Sequence, residues 1–222
     1  MPEVVCILGM HRSGTSCLAG LLEEAGLHLG ETRGASPHNQ KGYRENERIQ
    51  RLHDNILTDS GGSWHEPPET IRIRRKHEIE RDSIIESFGD RRWGFKDPRA
   101  LLMPEFWLEA LPDMRCVGTF RHPAEVVLSL RRRDGFPPLK SLALWAKYNT
   151  LLLQLPRTPL ISFSTGPEDY VASIRRLLPI LGLQEPAGNL HFFDAHLRHC
   201  VNTQDVPPLL AATYVKLKGL AL

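Results

Sequence analysis

The chemistry in this chain concentrates in Ile7-Leu8-Gly9-Met10-His11-Arg12-Ser13-Gly14-Thr15-Ser16. An apolar run, Val4 to Leu8, feeds a glycine-bracketed turn, and an apolar-periodic helix starts at Thr15. Strand, glycine turn and helix N-terminus together aim several backbone N–H groups and a helix dipole at one anion, most often a phosphate. Four residues separate Gly9 from Gly14, as in a Walker A loop, but Thr15 stands where Walker A requires lysine. The cation nearest to hand is Arg12, inside the loop. The expectation is a phosphate cradle for a ligand other than ATP.

A second anion site is expected at Phe120-Arg121-His122-Pro123. Arg121 closes an apolar strand, so it lies on the same rim as the first loop. Ser129 follows two turns into the next helix, where guanidinium and hydroxyl could hold one phosphate together. A third polar cluster, Gly94-Phe95-Lys96-Asp97-Pro98-Arg99, ends another apolar run on that rim, and Lys41-Gly42-Tyr43-Arg44-Glu45 brings a carboxylate to the start of a helix.

The elements that must position these residues alternate. Apolar runs at Val4–Leu8, Trp93–Lys96, Met114–Phe120 and Leu160–Phe163 read as buried strands. Helical patterns cover Thr15–Ala25, Glu45–Leu57, Ala124–Arg132, Leu139–Leu155 and Pro167–Leu181. Alternation of this kind predicts an α/β fold, a parallel β-sheet flanked by helices, and 222 residues suit a single domain over 1–222. Two polar, glycine- and proline-bearing stretches, 28–44 and 59–70, are long for a compact domain and are expected to border a ligand site.

Composition narrows the function classes. Hydrophobic residues at 41% and charged residues at 24% fit a globular protein, and a net charge of +2 is too small to imply nucleic acid. The basic runs Arg72–Lys76 and Arg131–Arg133 read as solvated faces, or, should they flank the cleft, as favouring an anionic acceptor, and Glu78, Glu80 and Asp82 interrupt any nucleic-acid stripe. No apolar run approaches the roughly 18 residues of a membrane span. Met1-Pro2-Glu3 leads straight into the first strand, with no leader pattern, so a cytoplasmic protein is expected. Cys6, Cys17, Cys116 and Cys200 are scattered and read as reduced. His196, His199 and Cys200 share helical spacing but lack a fourth ligand, so no metal site is expected.

The two anion motifs, in order and in context, resemble those of the sulfotransferases that use 3′-phosphoadenosine-5′-phosphosulfate (PAPS). That family has an (Arg/Lys)-Ser-Gly-Thr-(Thr/Ser) loop for the 5′-phosphosulfate and an Arg-x-Pro segment, with serine eight positions after the arginine, for the 3′-phosphate. Arg12-Ser13-Gly14-Thr15-Ser16 matches the first, and Arg121, Pro123 and Ser129 match the second. The resemblance implies a P-loop NTPase-like sulfotransferase fold with PAPS as co-substrate and no metal. His11, Arg12, Ser13, Gly14, Thr15, Ser16, Arg121 and Ser129 would bind the nucleotide, with His11 and His122 at its border. The C-terminal Arg-Lys-Gly segment of cytosolic members is missing; Tyr214–Gly219, with Lys216 and Lys218, is the nearest counterpart.

An acceptor hydroxyl must lose a proton, so the resemblance also implies a base. Glu45 is the first candidate and Asp97 the second, with Asp97 alternatively orienting Lys96 or Arg12. Lys96 or Arg99 would neutralise the group in transfer, alongside Arg12. His53, on the helix after Glu45, is expected to face solvent. The implied activity is sulfuryl transfer to a hydroxyl of a carbohydrate, glycolipid or small metabolite. Two rivals stay open: a P-loop nucleotide or small-molecule kinase, and a non-catalytic nucleotide-binding protein of the same fold.

Overall fold

The structure, a computed structural model, describes residues 3–35, 40–187, 190–197 and 205–222. Four strands, β1 (Val4–Leu8), β2 (Trp93–Lys96), β3 (Arg115–Phe120) and β4 (Leu160–Ser162), form one parallel sheet in the order β2-β1-β3-β4. Period-two alternation sends the side chains of β1 to two cores: Val4, Cys6 and Leu8 to one face, Val5 and Ile7 to the other. Helices α1 (Thr15–Glu24) and α7 (Pro167–Ile180) cover the second face through Leu18, Leu21, Leu22, Tyr170, Ile174 and Leu177. The first face is covered by α2 (Glu47–Asp59), α3 (Arg75–Phe88), α4 (Pro104–Leu108), α5 (Pro123–Asp134), α6 (Pro138–Gln154) and α8 (Pro208–Gly219). The expected α/β architecture, a parallel sheet flanked by helices, is the one observed.

Boundaries move for local reasons. Helix α2 begins two residues later than the periodicity suggests because Asn46 caps it, its Oδ1 accepting from Arg48 N (3.0 Å) and Ile49 N (3.3 Å). Glu45 is thereby left just outside the helix. Helix α3 escaped the sequence reading. Its buried positions, His77, Arg81, Ile84 and Phe88, keep helical spacing, but two of the four are polar and hide the stripe. Among the described residues no helix is long and apolar enough to cross a membrane. Residues 36–39 of the first long loop, and His199 and Cys200, lie outside the described residues.

Candidate active site

The loop between β1 and α1 is shaped by its glycines. Gly9 has φ 146°, and a Cβ there would stand 2.3 Å from the Thr119 carbonyl oxygen. Gly14, at φ 87°, presses against the Phe163 ring, which a Cβ would meet at 2.4 Å. Arg12 between them is also left-handed, at φ 69°, an uncommon conformation for a residue with a side chain. Thr119 Oγ1 donates to Ser13 O at 2.9 Å and ties the loop to β3. Helix α1 begins at Thr15 without a side-chain cap at Gly14. Ser13 Oγ is buried without a hydrogen-bond partner. Thr15 is buried at the helix start, and Ser16 Oγ donates to Tyr43 O at 3.0 Å, joining the loop to the segment that leads to Glu45.

The second motif meets the first in space. Arg12 Nε donates to Ser129 Oγ at 2.8 Å, a contact across 117 residues. Burial, Arg133 and Arg121 together lower the Arg12 guanidinium to about 10, which leaves it charged at neutral pH. Arg121 is itself buried and paired with Glu125 at 2.6 Å, one turn on, and Ser164 Oγ donates to the same Glu125 oxygen at 3.1 Å. Arg121 Nη1 also reaches the Arg12 carbonyl, at 3.4 Å. Arg121 and Ser129 therefore share a neighbourhood through Arg12. Pro123 opens α5 as expected, with His122 Nδ1 capping Ala124 N at 3.3 Å. Tyr214 of α8 packs edge-on to His122 with centroids 5.1 Å apart, so the C-terminal helix does lie against the second motif.

The third cluster is a buried polar network. Lys96 Nζ donates to Glu45 Oε1 at 2.6 Å, with side chains 2% and 8% exposed. Asp97 accepts from Arg99 N and Arg99 Nη1, both at 2.9 Å on Oδ1, and lies 3.1 Å from His53 Nδ1 through Oδ2. Arg99 Nε donates on to Asp54 at 2.6 Å. The indole of Trp107 can only donate, and its Nε1 lies 2.8 Å from His53 Nε2. His53 thus carries its proton on Nδ1 and gives it to Asp97. Burial alone would raise the Asp97 carboxyl, but Arg99 and His53 outweigh it and hold it well below the usual carboxylate range.

His53 corrects the sequence reading: it does not face solvent but is wholly buried. The signal was present, since position 53 shares its helix face with Ile49, Leu52, Ile56 and Leu57, all buried. His11 is buried too, its ring 4.1 Å from that of Trp64. Trp64 comes from the second long loop, which does border the site, although the sequence reading singled out no residue in it. His196 is described, but the cluster proposed with His199 and Cys200 falls partly outside the described residues. Among the described residues no group of three or more metal-ligating side chains is gathered.

Solved structures share this architecture. A sulfotransferase domain from the curacin biosynthetic pathway superposes with a TM-score of 0.54 at 15% identity, over 98% of each chain. A sulfotransferase domain from the Synechococcus PCC 7002 olefin synthase gives 0.52 at 16% identity, over 100% of this chain and 89% of that one. The chain has the sulfotransferase fold. Identities this low establish architecture, and no family model or curated protein matches the sequence. Within the sulfotransferase fold of this chain, the glycine loop, Lys96–Asp97 and Arg121 all sit at the C-terminal ends of adjacent parallel strands, where such sheets bind ligands.

Proposed function

We propose that the chain is a PAPS-dependent sulfotransferase that acts on a hydroxyl of a carbohydrate, glycolipid or small metabolite. The observation that carries this reading is the Arg12–Ser129 hydrogen bond, which joins the two anion motifs in one site at 2.8 Å. The residues fit a nucleotide with phosphates at both ends. Gly9 and Gly14 let the loop pack against Thr119 and Phe163 where a side chain would clash, Ser13 Oγ is buried without a hydrogen-bond partner, and α1 begins without a side-chain cap. PAPS, when bound, supplies an activated sulfuryl group. Thr15 in place of the Walker lysine disfavours a kinase.

Each residue then has a task. Gly14, Thr15 and Ser16 present backbone N–H groups to the 5′-phosphate, with the α1 dipole behind them. Ser13 adds its hydroxyl, and His11 borders the nucleotide. Arg12 aims its guanidinium at the oxygen on which charge grows as the sulfuryl group leaves. Arg121 and Ser129 hold the 3′-phosphate. Glu45 takes the acceptor proton, and Lys96 fixes its carboxylate and adds positive charge beside the group in transfer. Asp97 has both oxygens committed and a lowered pKa, so it organises Arg99 and His53 rather than accepting a proton. The test is transfer of labelled sulfate from PAPS to pools of hydroxyl acceptors with chelator present. Labelled product supports the reading; none with any pool, from a chain that binds the nucleotide, points to the non-catalytic alternative.

A further inference from the structure

His11 is the least explained residue of the loop. It is only 7% exposed, and its Nε2 is buried with no hydrogen-bond partner. Buried polar atoms in folded proteins are nearly always paired, so an exception inside a ligand loop asks what completes it. Ser13 Oγ, two residues on, is a second such atom in the same loop.

The direction of the ring narrows the answer. Arg12 reaches toward α5 and Ser129, whereas the His11 ring packs toward Trp64 at 4.1 Å and Tyr148 of α6 at 6.4 Å. It also lies within electrostatic reach of Lys96, Arg99 and Arg133, with Asp97 opposing them. His11 belongs to the proposed phosphate loop, and Lys96, within its electrostatic reach, is the partner of the proposed base Glu45. In sulfuryl transfer, the group that passes between those two places is the sulfuryl group. Burial first, then Arg99 and Arg133, holds the imidazole well below its usual pKa, so it is a neutral ring that can donate N–H to an anionic oxygen. The cations that oppose a second positive charge there favour an anion.

We propose that His11 is a ligand of the sulfuryl group, donating from Nε2 to one of its oxygens, and that Trp64 covers the imidazole until the donor enters. This rests on the PAPS reading above. Trp64 is suited to that part because it belongs to a connecting loop and is half-buried, while Trp93, Trp107 and Trp145 are fully enclosed. Its displacement is therefore visible in tryptophan emission.

The experiment measures affinities for PAPS and 3′,5′-ADP by calorimetry without acceptor, on the wild type, His11→Phe and His11→Gln. Phenylalanine keeps the contact with Trp64 and removes the nitrogen; the glutamine amide reaches the place of Nε2. The expected result is that His11→Phe loses about tenfold or more for PAPS while 3′,5′-ADP stays within about twofold, and that His11→Gln recovers most of the loss. PAPS, but not 3′,5′-ADP, should change the emission of Trp64, and Trp64→Phe should abolish that change. Should His11→Phe not fold, His11→Asn, whose amide is too short to reach, replaces it. Equal losses for both nucleotides, or no loss for either, overturn the proposal. A wild type that binds neither nucleotide overturns the PAPS reading, and this inference with it.

Discussion

Asp97→Asn separates structural from chemical work at the rim. The carboxylate accepts two bonds from Arg99 and faces the His53 N–H, with all three side chains buried. Asparagine keeps one oxygen for Arg99, but its amide N–H₂ then meets the His53 N–H. His53 cannot turn its proton away, because its other nitrogen accepts from Trp107 at 2.8 Å. Donor faces donor, and Arg99 loses its ion pair with Asp97 while keeping the one with the half-exposed Asp54. Breaking a buried ion pair from one side costs about 3–5 kcal/mol. At roughly 2–4 °C per kcal/mol for a domain of this size, melting should fall by about 6–20 °C. The acid limb gives an independent check. A carboxyl whose folded pKa lies below its unfolded value of about 3.9 stabilises the fold above that value and loses the contribution as pH falls. The wild type should therefore lose stability more steeply than Asp97→Asn below about pH 4. Thermal melts from pH 7 to pH 2.5 read both effects. A variant that melts within about 2 °C of wild type at pH 7, with an unchanged acid slope, refutes the network as described.

Glu45→Gln should lower kcat by about 10²–10⁴-fold while nucleotide affinity holds, measured by steady-state transfer and calorimetry; a turnover near wild type moves the base elsewhere. Arg121→Ala should weaken 3′,5′-ADP by about ten- to a hundredfold and 5′-AMP far less, since only one phosphate loses its charge-assisted contact. Equal losses in calorimetry would make Arg121 a packing partner of Glu125 alone. Arg12→Ala should cut kcat more than it weakens 3′,5′-ADP, because its donors act most as charge develops on the leaving oxygen; an intact kcat with a large affinity loss would show an anchor for the ground state only.

The parts of the site legible in the sequence were those written in contiguous residues. The loop from Gly9 to Ser16 declares itself through glycine spacing behind an apolar run, and β1 and α1 stand where that pattern puts them. Arg121, Ser129, Lys96 and Glu45 were legible as candidates, but their partners were not. The Arg12–Ser129 contact depends on β1 lying beside β3 with Leu8 opposite Gly118, a register that no local pattern encodes. His53 was misplaced because it was read by residue type; the buried Asp97 and Trp107 that satisfy its two nitrogens come from elements 44 and 54 residues away. Helix α3 was missed because His77 and Arg81 break the apolar stripe while remaining buried through their own partners, Asp59 and the Phe106 carbonyl.

Whether one site holds two separate phosphates of a nucleotide without a metal is decided by calorimetric titration of the full chain with 3′,5′-ADP in chelator, against ATP–Mg²⁺ in the same buffer. Tight binding of 3′,5′-ADP is expected, with ATP–Mg²⁺ weaker by at least about tenfold, the worth of one charge-assisted phosphate contact. Equal affinities, or a preference for ATP–Mg²⁺, would contradict it and return the glycine loop to a kinase-like reading.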